Sequence, residues 1–330
     1  MIKLAILGCG RIGQVHAGSA AMVEGARVTA VADAFPEAAE ALATRTGAAV
    51  MTAEDIIASP QIDAVVIGTP TDTHFDLIQA SAKAGKAIFC EKPVDMSADR
   101  IRECIETVEA AGVPFLTGFN RRFDPGFASI RARIADGEIG AIELVTILSR
   151  DPAPPPVSYI ESSGGLFRDM MIHDFDMARF LTGEEVVQVY ATGSALVDPA
   201  IGEAGDVDTA VAVLTTASGR ICQISNSRRA TYGYDQRVEV HGAGGMLRAE
   251  NLRETNVELA TAAGFRSAPA QHFFLERYAG AYVAEMAHFV ECLTSGKAPS
   301  PTIRDGLAAQ MIADAAARSL ETGAPVTLGQ

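Results

Sequence analysis

The sequence predicts an α/β protein: an N-terminal doubly wound parallel sheet, then an α+β half built on a large open antiparallel sheet. Three observations predict it. Short, continuous apolar runs alternate with helical segments at a steady period up to about residue 120, as strands buried on both faces of a parallel sheet require. Beyond that point come longer segments of alternating apolar and polar residues between Gly, Asn and Asp turns, the pattern of antiparallel strands with one wet face. The 330 residues, 48% hydrophobic, suffice for two cores. The expected division is 1–120 and 121–330, with the closing helices packing back on the first part.

Residues 3–7 (KLAIL) read as a buried strand that runs into Gly8-Cys9-Gly10-Arg11-Ile12-Gly13, the G-x-G-x-x-G spacing. Gly8 permits the tight turn and Gly10 lets a pyrophosphate approach bare backbone. Gly13 lets the following helix pack close on the strand, with its N-terminus facing the phosphate charge. The second strand, 27–32, ends at Asp33, where a carboxylate accepts hydrogen bonds from both ribose hydroxyls of a dinucleotide and repels a 2′-phosphate. Ala34 and Phe35 follow with no arginine at hand, so the expected cofactor is NAD rather than NADP. Arg45, a helix away, reads as a solvated helix residue.

Pro36-Glu37-Ala38 starts a helix that Gly47 stops. A short strand (48–51) and a brief helix from Thr52 or Ala53 lead to the apolar run 62–68. Its carboxyl end delivers Thr69-Pro70-Thr71-Asp72-Thr73-His74. Ligands of open α/β sheets bind beyond the carboxyl ends of the strands, so this turn is expected along the dinucleotide. A helix (74–84) precedes the strand 87–90, which ends in Glu91-Lys92-Pro93. Ser97 caps the next helix, Gly112 closes it, and the strand 114–117 completes a Rossmann-type sheet.

The second half reads as a helix (125–136), a strand (142–149), a proline-rich loop (152–156) and a helix (167–181). Alternating segments follow at 186–197, 207–216, 220–225, 237–241 and 257–260, and two helices close the chain near 278–294 and 304–322.

A net charge of −14 without a basic run argues against nucleic acid and anionic membranes as partners. No stretch resembles a membrane span, and the opening strand lacks the basic start and cleavage site of a signal peptide, so the expected location is the cytoplasm. The five cysteines are dispersed without a C-x-x-C pair, as suits reduced core thiols, and the scattered histidines suggest no metal.

Lys92 ends a buried strand on the side where a nicotinamide must lie. A lysine there can hydrogen-bond a substrate hydroxyl and stabilise the alkoxide that develops as hydride leaves, or it can simply end a strand at the surface. Asp169 and His173 are four residues apart and would share a helix face. The carboxylate could then hold the imidazole in the tautomer that accepts a proton, although a solvated helix face has the same spacing. Asp174 and Asp176 fall on other faces. Arg121-Arg122, and Tyr232-Gly233-Tyr234 with Arg228 and Arg229, could line a polyol site or form surface ion pairs. His16, three residues past Gly13, reads as structural or cofactor-adjacent.

With GCGRIG, TPTDTH, EKP and the DMMIHD stretch in view, the chain resembles the glucose-fructose oxidoreductase, inositol dehydrogenase and rhizopine-catabolism (Gfo/Idh/MocA) family, and within it the bacterial inositol 2-dehydrogenases. The likeness extends over FNRRFDPGF, SRDPAPPPVSYIESSGG, HDFDMARFL and YGYDQRVEV, so it spans nearly the whole chain. It implies NAD-dependent oxidation of a cyclic polyol, myo-inositol to 2-keto-myo-inositol, or of scyllo-inositol or an aldose. It further implies Lys92, Asp169 and His173 as the catalytic residues, with His173 the base, and a cofactor site of Gly8, Gly10, Arg11, Ile12, Gly13, Asp33, Thr69, Pro70, Thr71, His74, Glu91 and Lys92. Substrate contacts from Arg122, Asp151 and Tyr232, a cis bond between Lys92 and Pro93, and a homotetramer joined through the open sheet faces are also implied. Ser149-Arg150 departs from the His-Arg of some inositol dehydrogenases. A non-catalytic NAD-binding regulator is the competing reading, and such a protein need not keep Lys92, Asp169 and His173 together.

Overall fold

A computed structural model describes residues 1–329. The chain forms two compact units, Met1–Phe123 with Gly280–Gln310, and Asp124–Ala279 with the stretch from Met311 onward. The first is built on β1 (Ile2–Leu7), α1 (Arg11–Ala21), β2 (Ala26–Ala32), α2 (Pro36–Thr46), β3 (Ala49–Val50), α3 (Ala53–Ala58), β4 (Ala64–Ile67), α4 (His74–Lys83), β5 (Ala87–Glu91), α5 (Ala98–Ala111) and β6 (Phe115–Gly118). Its sheet is parallel in the order β3-β2-β1-β4-β5-β6. The order reverses between β1 and β4, and the crevice beyond their carboxyl ends is where such sheets bind dinucleotides. Local chemistry sets the helix ends as the sequence predicts: Thr52 caps α3 by accepting from Asp55, Ser97 caps α5, and Gly47 and Gly112 stop α2 and α5 in the left-handed conformation.

The second unit continues with α6 (Pro125–Ala135), β7 (Ile142–Arg150), α7 (Val157–Ser163), α8 (Gly165–Asp169), α9 (Ile172–Thr182), β8 (Val186–Ser194), α10 (Pro199–Glu203), β9 (Thr209–Thr216), β10 (Ile221–Ser227), β11 (Asp235–Gly242), β12 (Gly245–Ala249), β13 (Glu258–Thr261), β14 (Gly264–Ser267) and α11 (Phe274–Arg277). Then come α12 (Ala279–Ser295), α13 (Ile303–Thr322) and β15 (Val326–Thr327). Met286, Phe289 and Val290 of α12 join Leu4, Ile6, Val66 and Phe89 in the core on one face of the first sheet. The other face is closed by Ile56, Ile78, Ile101 and Ile105.

The second sheet runs β12-β11-β7-β10-β9-β8-β15. It is antiparallel except for one parallel pair, β7 with β10. Its buried face carries Val145, Ile147, Ala212, Leu214, Cys222, Ile224, Val238 and Val240. The fifth alternating segment joins this sheet in expectation but in the structure forms a separate hairpin, β13 with β14, whose residues are almost all exposed. Alternation signals a strand without naming its partner. The expected helix 167–181 is two helices. Met170 and Met171 both donate to the Leu166 carbonyl, at 3.0 and 2.9 Å, and the second bond spans five residues, a π-type turn that ends α8 before α9 begins. Among the described residues no helix is long and apolar enough to cross a membrane. All five cysteines are buried and reduced, and burial pushes Cys9 up to about 11 and Cys104 and Cys222 to about 12.

Candidate active site

The glycine turn is shaped by backbone crowding on one side and open space on the other. A Cβ on Gly8, whose φ is +93°, would fall 2.6 Å from the Gly68 carbonyl at the end of β4, and one on Gly13 would fall 1.8 Å from Gly8 O. A Cβ on Gly10 would meet nothing within 4 Å. Gly10 also caps α1, whose first turn carries no acidic side chain and no side-chain cap, which leaves its N–H groups facing the gap. Asp33 closes the turn from β2: one oxygen accepts from Cys9 N–H at 2.5 Å and the other from Phe35 N–H at 2.8 Å. A carboxylate has about four acceptor positions, so lone pairs remain for two ribose hydroxyls. These residues fit a dinucleotide diphosphate with an unphosphorylated ribose. Arg45 donates to the Gln14 carbonyl at 2.8 Å and remains exposed.

The turn that carries Lys92 is held on both sides by buried histidines. Before it, His16 Nε2 on α1 lies 2.6 Å from Glu91 Oε1, and the other Glu91 oxygen accepts from Lys92 N–H at 3.2 Å. Gly118 makes room, since a Cβ there would lie 2.9 Å from that carboxylate. After it, His74 reaches Pro93 O and Thr69 O, each at 3.0 Å. A neutral imidazole has one N–H, so it donates to one carbonyl at a time. Burial lowers the His74 pKa, against the two carbonyls and the charges of Glu91 and Asp95. The residue is 1% exposed, so its part in a cofactor site would be played through the two turns that it joins. It ties the Thr69 turn to the Lys92 turn. The peptide between Lys92 and Pro93 is cis. Thr73 donates its hydroxyl to Pro70 O at 2.8 Å and accepts from Thr69 Oγ1 at 2.7 Å, which stiffens the turn. Arg122 donates to Asp305 at 3.0 Å, an ion pair that the sequence does not reveal.

In the second unit Asp169 ends α8 and His173 lies in the first turn of α9, so the two sit on either side of the π-type turn rather than on one helix. Asp169 accepts from Tyr159 OH at 3.0 Å and from Arg228 at 3.4 Å. The start of α9 is held through the neighbour of His173. Asp174, fully buried, accepts from Ser149 Oγ at 2.6 Å and from Asn226 Nδ2 at 2.8 Å. Ser149 and Asn226 are register partners on β7 and β10, so one carboxylate pins the start of α9 across the parallel pair. Ser149 is thereby spent on structure.

Asp151 follows β7 and donates its N–H to Ser227 O at 3.0 Å, while Arg150 pairs in register with Ser227 and Asp235. Tyr232 is 49% exposed and donates to Asp235 at 2.7 Å, and Asp235 also takes both arms of Arg237. Burial first, then Asp235, pushes the Tyr232 hydroxyl up, so it stays protonated. Asp151, Tyr232, Arg228 and the anchor of α9 thus gather at one end of β7, β10 and β11. The sequence leaves Arg228, Asp174 and the Glu91 to His16 pairing unassigned, because each depends on a partner remote in the chain.

Residues 2–119 match the oxidoreductase family with an NAD-binding Rossmann fold, and residues 127–248 match the GFO/IDH/MocA C-terminal domain. The inositol 2-dehydrogenase of Rhizobium meliloti (strain 1021) is 55% identical over 319 residues, 97% of each chain. The crystal structure of a myo-inositol dehydrogenase from Corynebacterium glutamicum superposes with a TM-score of 0.96 at 43% identity, covering 100% of this chain and 99% of that one. The scyllo-inositol dehydrogenase of Lactobacillus casei, solved with NAD(H) and scyllo-inositol, gives 0.93 at 30% identity, with 99% of each chain covered.

Proposed function

Because the chain belongs to the GFO/IDH/MocA oxidoreductase family, we propose that it is an NAD-dependent dehydrogenase of a cyclic polyol, converting myo-inositol to 2-keto-myo-inositol (scyllo-inosose). The observation that carries this reading is the 55% identity to an inositol 2-dehydrogenase over 97% of the chain, the substrate half included. When bound, NAD accepts the carbinol hydride. Gly8, Gly10, Arg11, Ile12 and Gly13 hold its diphosphate at the α1 N-terminus, Asp33 its ribose, and Thr69, Pro70, Thr71 and Glu91 border it. His173 removes the hydroxyl proton and Asp169 orients its ring. Lys92 donates to the substrate oxygen and stabilises the negative charge that develops there. Arg122, Asp151 and Tyr232 contact the ring hydroxyls. A protonated Tyr232 serves as a hydrogen-bond partner and not as the base.

A second reading, scyllo-inositol or an aldose, is motivated by Ser149-Arg150, which departs from the His-Arg of some inositol dehydrogenases. NADH formation with myo-inositol, scyllo-inositol, D-glucose and L-glucose decides: the highest kcat/KM is expected for myo-inositol, and no turnover of either inositol sinks the reading. The same proposal includes a cytoplasmic homotetramer. Leu144, Tyr190, Val211, Val213, Ile221 and Met246 stand exposed on the open face of the second sheet and would be covered in it.

A further inference from the structure

Among the described residues, Arg228 heads the fully buried side chains by volume, at 1% exposure. Burying a guanidinium is costly unless carboxylates meet it. Two do. Its Nη1 donates to Asp169 Oδ2 at 3.4 Å, and its Nη2 lies 3.9 Å from Asp206 Oδ2. Asp206 accepts the Leu166 N–H with both oxygens, at 3.1 and 3.0 Å, at the very start of α8. Gly165 there has φ +80°, and a Cβ would fall 2.6 Å from Asp206. Asp169 is the last residue of the same short helix. One guanidinium therefore spans the carboxylates at both ends of α8, while the Arg228 N–H donates to Asp208 O at 2.8 Å.

We infer that Arg228 is a positioning residue for the reaction, holding the Asp169 carboxylate in the orientation that serves His173. The inference rests on the proposed role of Asp169. Tyr159 fixes the other Asp169 oxygen from a half-exposed position, so Arg228 is the buried, charged half of the clamp. The rival is purely architectural: Arg228 would then matter only for the Asp206 cap on α8.

A double-mutant cycle separates the two. Arg228→Met, Arg228→Lys, Asp206→Asn and Asp169→Asn, with Arg228→Met and Arg228→Lys each also combined with Asp169→Asn, are assayed for kcat, KM, NAD affinity and Tm. If Arg228 acts through Asp169, Arg228→Met lowers kcat by at least about tenfold with NAD affinity unchanged, and it adds nothing once Asp169 is Asn. Arg228→Lys, which keeps the charge, recovers much of the loss, and Asp206→Asn keeps kcat within a few-fold of the parent. Losses that multiply in the double variant, or an Asp206→Asn variant as slow as Arg228→Met, overturn the inference. Should Arg228→Met not fold, Arg228→Gln, which removes the charge and keeps a polar side chain, completes the same cycle in the parent and Asp169→Asn backgrounds. Normal turnover of Asp169→Asn alone overturns the proposed role of Asp169, a result distinct from multiplying losses.

Discussion

Asp33 accepts from Cys9 N–H in the glycine turn, and in the proposed site its charge would repel a 2′-phosphate. Asp33→Ser combined with Ala34→Arg is expected to raise NADP kcat/KM relative to NAD. Equal use of the two cofactors by the unmodified enzyme would refute the assignment. If His173 is the base, as proposed, His173→Ala lowers kcat by about 10²- to 10⁴-fold while NAD affinity stays the same. Near-normal turnover would send the search for the base to Lys92. The residues of the glycine turn were legible because their roles are local: turn, approach and close packing all follow from six consecutive positions. Asp174 and Arg228 were not. Their partners lie 25, 52 and 59 residues away, and a lone carboxylate or a paired Arg228-Arg229 reads like surface until the strands that carry those partners are aligned.

At the scale of elements, spacing was a good guide to where helices and strands run and a poor one to how they break. Nothing in Phe167 to Leu181 is a glycine or a proline, so the π-type turn at Met170 and Met171 has no sequence mark. It changes the meaning of the four-residue spacing between Asp169 and His173, which no longer places both on one helix face. The orientation of α9 depends instead on Asp174. Replacing it with Ala takes the shared acceptor away from Ser149 and Asn226, at a cost of about 1–3 kcal/mol for each buried polar group left unsatisfied. A calorimetric Tm lower by roughly 5–10 °C, together with a reduced kcat, is expected. An unchanged Tm would mean that α9 is held by packing alone.

For the molecule as a whole, two histidines of the first unit make stability depend on pH. Burial lowers the pKa of both His74 and His288 below 6.5, and His288 Nε2 accepts from Ser300 N–H at 3.1 Å, which requires the neutral ring. The unfolded chain then binds more protons than the folded one as pH falls past 6.5, so stability is complete above that value and declines toward the folded pKa values. Thermal melts should show a constant Tm from about pH 7 to 8 and a falling one between about pH 6.5 and 5.5. A flat profile in that lower window would show that the rings ionise freely in place. On the open sheet face, Val213→Asp is expected to shift the light-scattering mass toward smaller species without altering the circular dichroism spectrum, and an unshifted tetramer would place the interface elsewhere. The position of α12 also has a bearing on synthesis. Met286, Phe289 and Val290 cover a sheet face whose other residues all lie before Phe123. At about 5–20 residues per second the ribosome makes the intervening stretch in roughly ten to thirty seconds. Throughout that interval the face around Phe89 lacks the cover that Met286, Phe289 and Val290 give it, so a fragment ending at Phe123 is expected to expose apolar surface and to bind a hydrophobic dye that the full chain does not.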